Sequence, residues 1–439
     1  MHPIAASALR NRIAAAGVAL TIASSVVFLF LIGLELLGLL HSPYADLLVF
    51  VLVPAFLVLG LVLIPIGLWQ GRHTAAPAGV GGPALVFVAA ATLVAVALMS
   101  FASYGAVEYS ESQQFCGQSC HVMEPQFVAH RSGSHASVPC ISCHIEPGAQ
   151  SFVRAKLNGT RQLALVVTHR YPTPIPSPPT TAMPNVHTSC EQCHWPDRFI
   201  GDVIKVVHEY ADDEKNTETK TVLRMHVGGP ISGTGNGMGI HWHMNRGNRV
   251  EYLALDPQLE QIPYIRVSTR DGRTTEYVAK GAGEQNFSGK ALRPMVCIDC
   301  HNRPAHRFGS SPERAVDAAL GAGQMSTEIP FVRRESVRAL KATYAGPGIA
   351  ATEIDKSMRA ALEPRLGSAP PRALRDAIAV TQDLYRTNVF PAMKIGWGTY
   401  TNQTGHVTTP GCFRCHDGEH TSRDGRTISQ ECESCHTIE

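Results

Sequence analysis

The sequence carries very little net charge, and long apolar runs are scarce beyond its N-terminal quarter. Lys and Arg number 38 and Asp and Glu number 36, so the formal net charge of the 439 residues is +2. Nucleic-acid-binding domains concentrate basic residues, so no nucleic acid is expected as a partner. The first 107 residues hold nearly all the long apolar runs. The chain, which is long enough for two or more domains, therefore begins with an apolar region and continues with a polar one.

The sequence also has no cysteine outside one recurring motif. Its twelve cysteines form six pairs, and a histidine directly follows the second cysteine of each pair. No cysteine is left for a structural disulfide. The attachment cysteines are Cys116 and Cys120, Cys140 and Cys143, Cys190 and Cys193, Cys297 and Cys300, Cys412 and Cys415, and Cys432 and Cys435. The motif histidines are His121, His144, His194, His301, His416 and His436.

This pattern is typical of covalent haem attachment. Two sulfurs three positions apart lie on one side of a helical turn and can form thioethers with the two vinyl groups of one porphyrin. The next residue then presents its imidazole to the iron. Zinc ribbons and redox C-x-x-C pairs do not require a histidine at that position. The sequence therefore predicts a cytochrome c with six c-type haems, mostly helical and irregular around stacked haems.

The first motif differs from the other five. "CGQSCHVM" (116–123) has three residues between its cysteines, and Met123 lies two residues after His121. Methionine ligation raises the potential of a haem iron relative to bis-histidine ligation. A methionine at this position can equally be an apolar packing contact. Either residue is a candidate ligand of the first iron.

Three apolar runs predict a three-span membrane anchor over residues 1–107. The runs are Ile13–Leu34, Leu47–Leu68 and Ala84–Phe101, and each is close to the roughly 20 residues that cross a bilayer. A cleaved signal peptide is the alternative for the first run. Its apolar core is too long for a signal peptide, and no clear small-x-small cleavage site ends it.

The basic residues near these runs predict the orientation of the chain. Arg10 and Arg12 precede the first run and Arg72 follows the second, whereas the loop "HSPYAD" between the first two runs has no Lys or Arg. The positive-inside rule places the N-terminus in the cytoplasm. Three crossings then place the remainder on the periplasmic side of a bacterial inner membrane, where c-type haems are attached.

The polar part of the chain divides into three predicted domains. Residues 108–200 carry haems one to three, and residues 201–292 form a β-rich insertion with two hairpins, the second around "RDGR". Residues 293–439 are helical and carry haems four to six. Within them, "SPERAVDAAL" starts with a Ser cap and a Pro at the first helical position, and "PRALRDAIAVTQDLY" has apolar residues at helical spacing.

Each of the five regular haems needs a second axial ligand if it only transfers electrons. Four histidines lie four to six residues from a motif, a tether too short to reach the far face of the haem in that motif but long enough for a neighbouring haem. They are His135, His306, His406 and His420. "GIHWHM" supplies the fifth, and we prefer His241 to His243. The reserve histidines are His130, His169, His187, His208 and His226.

The segments "CGQSCHVM" and "CISCHIEPGAQSFVRAKLNG", which follow the anchor, resemble the NapC/NirT family of membrane-anchored quinol dehydrogenases over about residues 100–170. The resemblance implies that the first haem lies at the membrane surface and oxidises quinol. It also implies that Met123 binds the first iron, that His121 can remain unbound, and that Lys156 borders the quinol pocket.

Two departures from the family bear on that pocket. The family usually has one anchor helix, and the acidic residue expected several positions after the lysine is missing from "LNGTRQLALVV". The candidates for the proton acceptor are therefore Glu35, Glu108 and Glu111. Glu35 lies near the end of an apolar run, where an ionisable group is either functional or simply at the water interface.

The later motifs, such as "CIDCHNRPAHRF" and "GHVTTPGCFRCHDGEH", resemble the longer inner-membrane multihaem cytochromes of bacteria that respire metals or external acceptors. Both resemblances imply a quinol dehydrogenase that passes electrons from (mena)quinol to periplasmic cytochromes. One alternative is a non-catalytic electron-wire subunit beside other membrane subunits. A terminal oxyanion reductase is the other, but such enzymes often contain a C-x-x-C-K motif, and none occurs here.

Overall fold

The computed structural model describes residues 12–36, 52–71, 101, 104–177, 183–228, 239–282, 287, 290–367 and 369–439. The chain divides into two compact units, Met1–Met123 and Glu124–Glu439. The four-domain division made from the sequence is finer than this, and its boundaries at 107, 200 and 292 stay predictions.

Two long helices, α1 (Arg12–Leu36) and α2 (Val53–Gly71), pack closely against each other in the first unit. Small residues permit this close approach. A Cβ added to Gly60 would lie 2.8 Å from the backbone nitrogen of Thr21, and one added to Gly67 would lie 2.3 Å from that of Ala14. Contacts of this kind, between glycines and other small residues, are typical of helix pairs in membranes.

The structure supports a membrane anchor, and its three-helix form stays a prediction. Within the described ranges, only α1 is long and apolar enough to cross a membrane by length and composition, because the apolar part of α2, Val53–Gly67, is shorter. Leu29 and Phe30 on α1 are both 64% exposed, as expected for side chains that face lipid. The third apolar run lies outside the described residues except for Phe101, as do Arg10 and Arg72.

We expect Gly60→Leu to separate α1 from α2, because the new side chain would meet backbone atoms of the facing helix. Overpacking of this kind costs about 1–3 kcal/mol. The unfolding midpoint of the detergent-solubilised protein should fall accordingly. Val62→Leu is the matched control, since Val62 lies on the same helix and is 47% exposed. Equal midpoints for the two variants would contradict the close packing at Gly60.

The helices of the second unit vary greatly in length, and two of the shortest coincide with haem motifs. They are α3 (Glu124–Arg131), α4 (Cys140–His144), α5 (Ala149–Val167), α6 (Cys297–Cys300), α7 (Pro312–Gly321), α8 (Val332–Lys341), α9 (Pro347–Leu362) and α10 (Pro371–Asn388). Helix α7 begins as predicted, since the Ser311 hydroxyl accepts a hydrogen bond from the Arg314 N–H at 3.4 Å. Helices α7 to α10 enclose an apolar core that includes Ile329, Ile354 and Leu374.

Two antiparallel sheets join the predicted β-rich insertion to the C-terminal haem motifs. The strands are β1 (Asp202–Tyr210), β2 (Glu218–His226), β3 (Arg249–Leu253), β4 (Tyr264–Ser268), β5 (Thr274–Ala279), β6 (Arg293–Pro294), β7 (His420–Ser422) and β8 (His436–Ile438). The first sheet has the order β1-β2-β8 and the second β6-β3-β4-β5-β7. Both predicted hairpins, β1–β2 and β4–β5, are present.

The described residues thus form a mixture of helices and strands, with the strands of the predicted β-rich insertion present. The C-terminal strands β7 and β8 each add to a sheet of the insertion. Strand β7 follows the fifth motif closely and β8 begins at the histidine of the sixth, so the sheets position the last two motifs. The predicted stacking of the haems stays a prediction.

Candidate haem-attachment sites

The irregular first motif folds as a turn of π-helix. Phe115–Ser119 is π-helical, and the Cys120 N–H donates to the Phe115 carbonyl at 3.1 Å, a bond between residues five apart. A π turn is one residue wider than an α turn and occurs mostly as a single turn at functional sites. The third residue between the two cysteines is therefore accommodated without unfolding the motif.

A 3₁₀ turn, His121–Met123, follows directly. The Met123 N–H donates to the Cys120 carbonyl at 2.7 Å, so the methionine is held one turn from the second cysteine. Met123 is half-buried and His121 is exposed. A hydrogen bond of 2.7 Å between the Tyr109 and Ser119 hydroxyls joins the π turn to the preceding helix, 104–111. Both candidate ligands of the first iron lie on this short, tied segment.

The regular motifs are single turns of helix. Two are α-helical, α4 and α6, and the other three contain 3₁₀ turns at Cys190–Gln192, Gly411–Arg414 and Cys432–Ser434. The N–H of His194 donates to the Cys190 carbonyl at 2.9 Å, and corresponding bonds close the fourth and fifth motifs. These turns bring both cysteines of a motif to one side. None of the twelve cysteines, all of which lie in the described part of the chain, is joined in a disulfide.

A non-motif histidine lies beside every regular motif histidine. A metal–imidazole bond is about 2 Å long, so two imidazoles on opposite sides of one iron have ring centroids roughly 6 Å apart. The observed pairs are His144 with His306 at 6.1 Å, His194 with His135 at 6.0 Å, His301 with His241 at 6.2 Å, His416 with His243 at 5.8 Å, and His436 with His406 at 6.1 Å. The five separations fit bis-histidine ligation.

The hydrogen bonds of the non-motif histidines also fit ligation through Nε2. Four of them place Nδ1 beside a backbone carbonyl oxygen, which assigns the N–H to Nδ1 and leaves the Nε2 lone pair for a metal. These bonds run from His306 to Gln126 at 2.9 Å, from His135 to Pro304 at 3.2 Å, from His241 to Val227 at 3.1 Å, and from His243 to Ile240 at 2.9 Å. The residues present therefore fit c-type haem.

Burial keeps several of these rings neutral, which is the form that binds iron. Desolvation, with smaller contributions from the neighbouring His144 and His130, lowers the pKa of His306 to about 4. Desolvation likewise lowers the pKa of His144, His241 and His243. A lowered pKa disfavours the imidazolium, which cannot coordinate a metal.

His420 is placed differently from the other four predicted distal ligands. Its Nδ1 lies 2.9 Å from a carboxylate oxygen of Asp417, and its Nε2 lies 2.7 Å from the Ile262 carbonyl oxygen. Both ring nitrogens are thus engaged, and the ring is 2% exposed. The fifth motif histidine has His243 beside it, the histidine of "GIHWHM" that the sequence analysis did not prefer. Only one ligand was predicted from "GIHWHM". His241 and His243 are two residues apart, and this spacing gives no indication that they would lie beside different motifs.

The quinol-site candidates are distributed over both units. Lys156 lies on α5 in the second unit, with its ammonium 4.9 Å from the centroid of the Phe152 ring. In the first unit, Glu108 is exposed and Glu111 half-buried on the helical residues 104–111. Glu35 is the penultimate residue of α1, and its side chain lies outside the described part of the chain. The quinol pocket itself stays a prediction.

Comparison with known proteins agrees with the motif geometry. Residues 82–175 match the N-terminal region of the NapC/NirT cytochrome c family. The cytochrome c-type protein ImcH of Geobacter sulfurreducens is 36% identical over 451 residues, which cover 98% of this chain and 88% of ImcH. The cytochrome c nitrite reductase subunit NrfH of Nitratidesulfovibrio vulgaris is 43% identical over 54 residues, 12% of this chain and 32% of NrfH. No solved structure matches the chain. The chain therefore belongs to the NapC/NirT family of multihaem cytochromes c.

Proposed function

We propose that this membrane cytochrome is a quinol dehydrogenase of anaerobic respiration in the bacterial inner membrane. It takes electrons from (mena)quinol and passes them through six c-type haems to a periplasmic cytochrome. The bound haems supply reversible one-electron chemistry at iron, which the protein positions and tunes. Its partners are then membrane lipid and the quinone pool in the membrane, and a soluble electron carrier in the periplasm.

The observation that carries this proposal is the pairing of all five regular motif histidines with a second histidine. Two histidines on one iron fill both axial positions and leave none open for a substrate. Such sites transfer electrons and do not bind an oxyanion. This supports a redox wire over a terminal reductase.

The pairs also link segments that are distant in sequence. His306 follows the fourth motif but lies beside His144 of the second, and His135 precedes the second motif but lies beside His194 of the third. His406 precedes the fifth motif and lies beside the histidine of the sixth. Each segment near one attachment site thus provides a ligand for another. This interlocking supports closely spaced haems, which electron transfer requires.

The features of the first motif support a separate role for it, at the point where electrons enter the haem chain. It has a π turn instead of a regular turn, it offers a methionine as ligand, and it lies in the same unit as the apolar helix α1. We assign quinol oxidation to this end. Lys156 orients the quinol, and one of Glu35, Glu108 and Glu111 accepts its protons, which leave on the periplasmic side. The positive-inside argument gives the orientation, with the N-terminus in the cytoplasm.

Reduction of the purified holoprotein by a menaquinol analogue tests the proposal. We expect Lys156→Ala to lower the rate about 10- to 100-fold, since a hydrogen bond to a charged group contributes about 1.5–3 kcal/mol. Lys356→Ala is the matched control, because Lys356 is an exposed lysine on α9. Dithionite should reduce both variants fully.

Reduction by dithionite but never by quinol would contradict the proposal. If quinol reduction appeared only when other membrane subunits were added, the protein would instead be an electron-wire subunit of a larger complex. The extra apolar runs of the anchor favour this second candidate, since they offer surface for packing against membrane partners.

A further inference from the structure

One short segment of the β-rich insertion lies beside two different haem motifs. The segment is Ile240–Met244, a 3₁₀ turn of five residues. We infer that it ligates two irons at once, with His241 on the fourth haem and His243 on the fifth. We call it the bridging segment. The inference rests on the haem ligation proposed above, but it does not depend on which electron donor the protein uses.

The two histidines of the bridging segment meet the requirements for ligation independently. His241 has its ring centroid 6.2 Å from that of His301, and His243 has its centroid 5.8 Å from that of His416. Each Nδ1 has a backbone carbonyl partner, from Val227 in one case and Ile240 in the other. Each Nε2 atom therefore carries the lone pair that can bind an iron. The two side chains lie beside different motifs.

Trp242, between the two histidines, holds the segment in place. Its side chain packs on the core of the second sheet, which contains Val250, Tyr252 and Ile265, and Cys415 of the fifth motif packs on the same core. The Trp242 carbonyl accepts a hydrogen bond from the Asn248 side-chain amide at 2.9 Å. An aromatic anchor of this size restricts the backbone on both sides, so the two imidazoles keep a fixed spacing.

The start of the bridging segment requires glycine. Gly239 has φ of 91°, and a Cβ added there would lie 2.4 Å from the His226 carbonyl oxygen. Only glycine adopts this conformation without strain and permits so close a backbone approach. The His241 N–H then donates to the Val227 carbonyl at 3.2 Å, which fixes the segment against the end of β2.

A separate contact joins the fourth and fifth motifs. Arg414, in the fifth motif, is 8% exposed, and its guanidinium donates to the Asp299 carbonyl of the fourth motif at 2.7 Å. The Thr404 hydroxyl, just before the fifth motif, donates to the Cys300 carbonyl at 3.2 Å. Because the two attachment sites are held together, a single turn of five residues can reach both.

The two histidine pairs differ in the angle between their rings. The planes of His241 and His301 are 5° apart, and those of His243 and His416 are 89° apart. Parallel imidazole planes split the iron d orbitals and give a rhombic low-spin ferric signal in electron paramagnetic resonance. Perpendicular planes leave two of these orbitals nearly equal in energy and give a strongly anisotropic signal. Ligand geometry of this kind is one way in which a protein tunes a haem.

Electron paramagnetic resonance of the oxidised holoprotein tests the inference. We expect His243→Gly to remove the strongly anisotropic signal and to produce a high-spin signal, while the rhombic signals remain. Added imidazole should restore the low-spin state by filling the space of the lost side chain. His241→Gly should instead remove one rhombic signal. Haem content per chain, measured alongside, separates loss of a ligand from loss of a haem.

His420→Gly is the matched control, because His420 is a buried histidine close to the fifth motif whose two ring nitrogens are both engaged by protein oxygens. It should leave the low-spin signals unchanged. An unchanged low-spin spectrum in His243→Gly at full haem content, or a high-spin signal in His420→Gly that imidazole reverses, would overturn the inference. Quinol reduction, measured on the same samples, reports on the proposed function separately, since ligation of the fourth and fifth irons can hold whether or not quinol is oxidised.

Discussion

Met123→Leu is expected to decrease quinol-driven reduction about 10- to 100-fold. Leucine has nearly the volume of methionine but no sulfur, so packing is retained and a candidate iron ligand is lost. Methionine ligation raises the potential of a haem, and a fall of 59 mV in a one-electron couple changes its equilibrium tenfold. One of the measured potentials should therefore fall by roughly 60–120 mV.

Redox titration and stopped-flow reduction by a quinol analogue measure the two effects together. Met325→Leu is the matched control, because Met325 is a buried methionine of the helical core. His121→Gln examines the other candidate ligand in the first motif. If His121→Gln lowered the potential and Met123→Leu did not, the first iron would be ligated by the histidine, and the proposed role of Met123 would be wrong.

Arg414→Leu is expected to destabilise the second unit by about 3–5 kcal/mol. The Arg414 guanidinium donates to three backbone carbonyls, those of Gly411 at 2.7 Å, Asp299 at 2.7 Å and Leu259 at 3.0 Å. Leucine fills part of the volume but leaves these acceptors without their donor, and each buried unsatisfied group costs about 1–3 kcal/mol. The fourth and fifth motifs would also lose one of the contacts that join them.

Urea unfolding of the holoprotein, followed by haem absorbance and circular dichroism, measures this loss. Arg372→Leu is the matched control, since the Arg372 side chain is 82% exposed and its nearest carboxylate oxygen, on Asp376, is 3.6 Å away. It should change the free energy of unfolding by less than about 0.5 kcal/mol. Arg414→Lys should recover only part of the loss, because an ammonium cannot reproduce the planar fork of donors. Equal stability of Arg414→Leu and the control would contradict the role of Arg414 in joining the fourth and fifth motifs.

The proposed haem-attachment residues follow from the sequence because covalent attachment imposes a local rule. Two thiols and an imidazole must lie on one short turn, so their spacing is fixed regardless of the rest of the fold. The β1–β2 and β4–β5 hairpins and the capped helix α7 were predictable for the same reason, since turn and capping residues act locally. The close packing of α1 and α2 at Gly60 and Gly67 is a tertiary contact, and no local pattern in the sequence specified it.

The proposed distal ligands depend on contacts between distant segments. The short tether predicts that His135, His306 and His406 do not serve the haem in their own motif, but it does not indicate which neighbour each one reaches. It also gave His420 the same status, although this ring lies between Asp417 and the Ile262 carbonyl. The carboxylate three residues before His420 is the one local signal that could have set it apart.

The C-terminal strands were missed for a related reason. Strands β7 and β8 have three residues each and form only because β5 and β2 offer free edges. Three residues carry no readable alternation of apolar and polar side chains. The π turn of the first motif was likewise not predictable, because an extra residue in a turn can be accommodated in several ways and tertiary packing selects one of them.

Low-temperature near-infrared magnetic circular dichroism of the fully oxidised holoprotein, combined with haem quantitation, tests the central claim most directly. The position of the ligand-to-metal band identifies the axial pair of each low-spin haem. The account predicts six haems per chain, of which five are bis-histidine and one is distinct, either methionine-ligated or high-spin. Six identical bis-histidine haems, or more than one haem with an open position, would contradict it.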